Sequence, residues 1–184
     1  MTPKSKAFLL FVAKACGIYI LWMIISIFVI GEYNGIDQLL TESEAYIVCK
    51  LFSFFQYEGV FYVVDPPDAS ILYWGEKRLV GISDSCNGLV LFVTFIGFII
   101  AFPSKLKPKL WYIPFGIVAI YLMNIVRIFC LALIWIYYPT YLDFNHHYTF
   151  TLFVYFDIFL LWMGFVKKFG TIDQHQENAS VESA

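Results

Sequence analysis

Three polar elements interrupt an otherwise apolar chain, and each carries a side chain that could do chemistry. Cys86 stands in Asp84-Ser85-Cys86-Asn87-Gly88-Leu89, and Arg127 in Asn124-Ile125-Val126-Arg127-Ile128-Phe129-Cys130. His146 and His147 stand in Phe144-Asn145-His146-His147-Tyr148-Thr149-Phe150. A cysteine thiolate is a nucleophile, and the exposed amides of a helix N-terminus favour it. Gly88 permits close approach of the backbone there. A neutral imidazole can take the thiol proton or ligate a metal. A guanidinium can stabilise the charge that develops on a carbonyl oxygen. Nucleophile, base and cation are together the parts that acyl transfer requires. Each has a plainer reading alone: Cys86 as an inert residue or a disulfide partner of Cys49, Arg127 as a buried charge fixing helix register, the histidines as polar anchors at a membrane boundary. Their order along the chain is what points to a site.

The elements that must position these groups read as membrane helices. Of 184 residues, 60% are hydrophobic and only 14% charged, where soluble domains are nearer half and a quarter. Crossing the hydrocarbon takes about 20 apolar residues in a helix. Four stretches meet or approach that length, at residues 7–30, 86–102, 110–138 and 147–166. The first is long and lacks a clear small-residue cleavage site after it, so it reads as a retained anchor and not a signal peptide. The fold class expected is therefore an all-α polytopic membrane protein of about four transmembrane helices. It forms one domain, residues 1–170, with a small external helix and hairpin insert at residues 31–85. Residues 171–184 read as a disordered tail on the cytoplasmic side.

Lysines set the orientation. Lys4, Lys6, Lys105, Lys107, Lys109, Lys167 and Lys168 all fall on one side of a four-span arrangement, which makes that side, with both termini, cytoplasmic. The insert carries nine acidic residues against Lys50, Lys77 and Arg78, and belongs outside. Within it, Thr41-x-x-Glu44 has the form of a capping box, and Tyr46, Ile47, Leu51, Phe54 and Phe55 follow at helical spacing. That pattern predicts an amphipathic helix on the outer membrane surface. "GVFYVV" predicts a strand, Asp65-Pro66-Pro67-Asp68 a turn, and "SILYW", "GEK" and "RLVGI" a hairpin leading to Cys86. Arg127 lies about 16 Å below Tyr138, the outer end of its span, too deep for easy snorkelling. Insertion scales charge about 2.5 to 3.5 kcal/mol for arginine near a helix centre, and such residues usually face a bundle interior and mark a function. The net charge of −2, with no basic patch, gives no sign of nucleic acid as a partner. Cys16, Cys49, Cys86 and Cys130 are widely spaced without C-x-x-C, against a redox dithiol or zinc ribbon. No metal or cofactor is called for.

In these residues the chain resembles the exosortase/archaeosortase family of integral-membrane cysteine transpeptidases. That family is marked by a cysteine in a C-[SN]-G-like element, an arginine within a later membrane helix and a histidine at the head of the next. The matching positions are Cys86-Asn87-Gly88-Leu89, Asn124-Ile125-Val126-Arg127 and Asn145-His146-His147-Tyr148, within roughly residues 81–166. Typical members have about eight spans, so four would make this a compact variant. The resemblance implies a peptidase or transpeptidase that cleaves secreted proteins bearing a C-terminal motif, one membrane helix and a basic tail. It would act at the outer face of the cytoplasmic membrane, with lipid around it and room for a small membrane partner subunit. Cys86 would be the nucleophile, Arg127 the oxyanion or substrate stabiliser, and His147 the general base and acid, with His146 as the alternative. His147 is favoured because Thr151, four residues on, is a smaller neighbour. Asn87, Asn124 and Asp84 would contact substrate. Two rival readings remain: a non-catalytic membrane subunit of a secretion or surface-assembly system, and a membrane thiol redox protein using Cys86 and Cys49.

Overall fold

A computed structural model of the chain describes residues 3–25, 35–65, 69–83 and 86–170. The expected disordered tail, the Pro66-Pro67 turn and Asp84 lie outside those residues. The elements run α1 (Pro3–Ile25), α2 (Gly35–Phe54), β1 (Val60–Asp65), β2 (Ala69–Trp74), β3 (Lys77–Ser83), α3 (Leu89–Ala101), α4 (Leu106–Tyr137) and α5 (Phe150–Phe169). Between α4 and α5 the chain makes short helical turns that end in a π turn, Asn145–Thr149.

The fold is mostly helical but not all-α. The strand and hairpin legible in the sequence join into one three-stranded antiparallel sheet, in the order β1-β2-β3. β-branched and aromatic residues dominate these segments, and a hairpin alone is marginal without a third strand or a helix behind it. Here α2 and the outer part of α4 supply the backing. Ala45, Val48 and Phe52 of α2 form one core with Leu72, Leu79 and Ile82 of the sheet and Ile125, Ile128 and Ala132 of α4.

α2 departs from expectation in two ways. It begins at Gly35, two turns ahead of the supposed cap, with Asp37 in its first turn where the helix dipole favours an acid. The Thr41 hydroxyl caps nothing and donates to the Gln38 carbonyl at 3.0 Å. The face turned to the protein is Thr41, Glu44, Ala45, Val48 and Phe52, while Tyr46, Phe54 and Phe55 are exposed. α2 runs alongside α4, touching it from Ser43 at Tyr121 to Phe52 at Phe129.

A second core holds the helices below the sheet: Phe92, Phe95 and Ile99 of α3, Tyr112 and Ile120 of α4, Phe165 of α5. α3 and α4 approach closely at Gly116, where any Cβ would overlap the Phe95 ring. Tyr112 donates to the Leu161 carbonyl at 2.6 Å, tying α4 to α5. Lys109 donates to the carbonyls of Ile100 and Phe102 at 2.9 and 2.6 Å, a cation closing the C-terminal end of α3. The continuous stretches Leu106–Tyr137 and Pro139–Phe169 are each long and apolar enough to cross a membrane. The apolar parts of α1 (Leu9–Ile24) and α3 are shorter. On α1, α4 and α5 the outward faces carry exposed Leu10, Leu21, Trp111, Leu122, Leu152 and Phe156.

Candidate active site

Cys86 occupies the turn between β3 and α3, and α2 holds that turn from both flanks. On one side, Asn124 Nδ2 donates to the Cys86 carbonyl at 3.0 Å and to Glu44 Oε1 at 2.8 Å. On the other, Asn87 Nδ2 donates to Asp37 Oδ1 at 2.7 Å, while Asn87 Oδ1 accepts from the Leu89 amide at 3.0 Å, satisfying one free amide at the start of α3. Asp37 and Glu44 are seven residues apart, two helical turns, and therefore share a face of α2. Gly88 has a φ of +80°. A Cβ there would meet Asn124 only at 3.8 Å, so the glycine serves the left-handed backbone and not the close approach expected of it.

Asn87 and Asn124, expected to touch substrate, are turned into the protein, with 0% and 1% of their surface exposed. They build the cysteine turn. Glu44 is equally buried at 0%. Burial pushes its carboxyl up to about 8, against the opposing pull of the Asn124 hydrogen bond and the Arg127 charge. Its Oε2 and Asn124 Oδ1 have no hydrogen-bond partner among the described residues, an arrangement that a protonated carboxyl tolerates better than a charged one. Asp37 did not stand out in the sequence, and Glu44 did so only as the partner of Thr41 in a capping box; their heptad spacing on a helix was the available signal.

Of the two histidines it is His146, not His147, that reaches the thiol. His146 Nε2 lies 3.9 Å from Cys86 Sγ, whereas His147 is exposed and its Nδ1 meets the Asp143 carbonyl at 3.0 Å. Both histidines lie in the π turn, and the Thr151 hydroxyl, expected beside His147, donates to the His146 carbonyl at 3.2 Å.

Arg127 is half-buried and joins Cys86 and His146 in the wall of one cavity of about 410 Å³. Along β3 the same cavity is bounded by Arg78 to Ile82, and across from it by Leu142 and Asp143. A second recess, about 260 Å³, shares Cys86 and Arg127 and opens between Leu89–Leu91 of α3 and Thr151, Val154 and Tyr155 of α5. α4 is 32 residues, about 48 Å, and Arg127 stands about 32 Å along it from Leu106. Residues beyond it, among them Ile128 and Ala132, pack on α2 and the sheet, so Arg127 marks the junction of the two layers.

None of the four cysteines forms a disulfide. Cys49, on α2, is half-buried, and burial pushes its thiol up to about 11. Among the described residues no group of three His, Cys, Asp or Glu side chains is arranged to hold a metal ion. No protein-family model, curated protein or solved structure matches the chain. Chemically, the site offers a thiol, an imidazole within proton-transfer reach of it, and a guanidinium, at the meeting point of two recesses.

Proposed function

We propose that this chain is a membrane cysteine peptidase or transpeptidase of the exosortase/archaeosortase kind, acting on secreted proteins with a C-terminal motif, membrane helix and basic tail. The observation that carries the reading is the approach of His146 Nε2 to Cys86 Sγ at 3.9 Å beside Arg127 in one cavity. α5, and α4 up to Arg127, are each about 30 Å long and match a bilayer core of that thickness; the shorter apolar helices α1 and α3 would complete a four-helix arrangement beside them. Lys105, Lys107, Lys109, Lys167 and Lys168 then gather at the opposite, cytoplasmic edge. The contact of Tyr112 with Phe169 supports a common level for those ends. The exposed apolar faces of the helices suit lipid, because soluble surfaces rarely present patches of that extent. An arginine at the outer edge avoids most of the cost of one at the bilayer centre.

In the proposed reaction His146 takes the proton of Cys86, and the thiolate attacks the scissile carbonyl carbon. Arg127 faces the oxyanion of the tetrahedral intermediate. When the C–N bond breaks, the protonated His146 gives its proton to the leaving amine, and a thioester to Cys86 remains. An amine, hydroxyl or water, deprotonated by His146, then attacks the thioester and restores the thiol. The sheet-side cavity suits the motif, and the lipid-side recess between α3 and α5 suits the head of the substrate's membrane helix. The thiol redox reading loses its partner: Cys49 forms no disulfide, and a thiol held near 11 is poor at exchange. The test is mass spectrometry of the full chain from its native membranes, with and without hydroxylamine. A peptide adduct on Cys86, released by hydroxylamine and absent from Cys86→Ala, is expected. Normal processing of membrane-anchored proteins by cells carrying only Cys86→Ala would overturn the reading.

A further inference from the structure

β3 is the terminal strand of its sheet: one edge pairs with β2, and no strand among the described residues pairs with the other. Five consecutive residues of it, Arg78, Leu79, Val80, Gly81 and Ile82, line the cavity that holds Cys86 and His146. The β2–β3 register shifts at Leu79–Val80, so side chains here do not alternate strictly; a cavity lined by all five residues runs along the strand, beside the edge that no described strand occupies. The edge is receptive to donors at its outer end, where the Trp135 indole already donates to the Arg78 carbonyl at 2.8 Å. Further in, Gly81 is exposed and has no side chain to hold a second backbone away. β3 ends at Ser83, three residues short of Cys86, so whatever follows this edge inward arrives at the sulfur.

We infer that the extended motif of the substrate adds to β3 as a fourth strand whose inner end delivers the scissile bond to Cys86, with a carboxylate of the motif held by Arg78. The inference rests on the peptidase reading above, and supplies the recognition mode that reading lacks. Strand addition gives affinity through main-chain hydrogen bonds and specificity through alternate side chains. The direction follows from the fold. β3 runs from Arg78, beside Trp135 near the outer end of α4, to Ile82, in the core with Ile125 and Ile128. A secreted protein with a C-terminal membrane helix also runs from outside to inside, so the added strand is parallel to β3. The chain then passes Cys86 and Arg127 into the recess between α3 and α5. A cavity of about 410 Å³ is of the size that encloses a short peptide segment. Its charged groups other than His146 are Arg78 and Arg127 against Asp143, an excess of positive charge that suits an acidic motif. A Cβ on Gly81 would lie 3.4 Å from Arg78 Nη2, so the guanidinium folds back along the strand toward the cysteine instead of extending into solvent.

The test uses the full chain co-expressed with membrane-anchored reporters: a secreted reporter, a randomised segment, an apolar helix of about 20 residues and a Lys/Arg tail. Reporters are selected for cleavage by the wild type and, separately, for co-purification with Cys86→Ala. Selected segments are expected to carry Asp or Glu at a fixed distance from the helix. Arg78→Gln should weaken that preference about tenfold and Arg78→Glu should shift it to Lys or Arg. Arg78 is exposed, and unfolding temperatures of both variants confirm that they fold. N-methylation of alternate amides in a synthetic selected segment should cost about tenfold in retention, and of the intervening amides little. Retention that ignores both the Arg78 exchanges and the methylated positions overturns strand addition, and if such reporters are nonetheless cleaved, the peptidase reading survives alone. Reporters retained in the expected pattern but left whole by the wild type would keep the docking edge and end the peptidase reading. If nothing is retained or cleaved, both fall.

Discussion

Glu44 and Asn124, 80 residues apart in the chain, meet in a buried hydrogen bond of 2.8 Å, and the same Asn124 amide holds the Cys86 carbonyl. The carboxyl belongs to no proposed chemical step, yet it stands one residue removed from Cys86. Burial raises it to about 8 from an ordinary 4.5, so the folded protein keeps a proton that the unfolded chain releases. The state that binds more protons loses ground as they become scarce: stability falls as pH rises from about 4.5 to about 8, then levels off. Glu44→Gln has no proton to lose. It is expected to match wild type within about 1 kcal/mol near pH 5 and to exceed it near pH 8.5, in thermal unfolding of the detergent-solubilised protein. Parallel curves for the two proteins would show that Glu44 does not titrate in this window.

The turn itself gives a second prediction, separating conformation from space. At a φ of +80° a side chain at position 88 is strained even where it has room. Gly88→Ala should cost about 1–2 kcal/mol, and Gly88→Asn less, since asparagine visits the left-handed region more readily. Unfolding temperatures of the two variants decide it; if asparagine, the bulkier residue, is the worse of the two, crowding and not backbone strain rules the position.

Why some of this was legible in the sequence and some was not has physical causes. Cys86, Arg127 and the paired histidines stand out because polar groups are few in an apolar chain, and turn residues around β2 and β3 announce the hairpin. Glu44 hid behind Thr41, because a capping-box spacing is indistinguishable from two buried positions on one helix face. The packing beyond Arg127 was not legible because hydropathy cannot tell a helix surrounded by lipid from one lying beneath a sheet: Ile128, Leu131 and Ala132 read as membrane residues and are buried against protein. Which histidine faces the thiol was not legible, because a π turn leaves no mark in composition and shifts the phase of the residues after it.

That phase shift can be checked directly. With His146 facing the thiol and His147 exposed, His146→Ala should lower the rate of thioester formation on Cys86 by about 10²- to 10⁴-fold, the usual contribution of a general base. His147→Ala should have much the smaller effect, within a few-fold, since its exposed ring meets the Asp143 carbonyl and the edge of the His146 ring. The reverse pattern would return the base to His147 and require the π turn to relax to a regular helix in the working enzyme.

Arg127 separates a catalytic from a merely structural cation. It lines both recesses with Cys86, where a planar guanidinium can present two donors to one oxyanion and a lysine ammonium only a point charge. If its task is to fix register at the junction of the two layers, charge alone suffices, and Arg127→Lys keeps both stability and turnover. If it faces the developing oxyanion, Arg127→Lys should lose about tenfold or more in kcat with KM little changed, and Arg127→Ala about 10²- to 10³-fold. The unfolding temperature of the lysine variant should stay close to wild type in that case, because the position is only half-buried and a cation still occupies it. A lysine variant that keeps both its stability and normal turnover would assign Arg127 to the architecture, leaving the oxyanion to main-chain amides near Cys86.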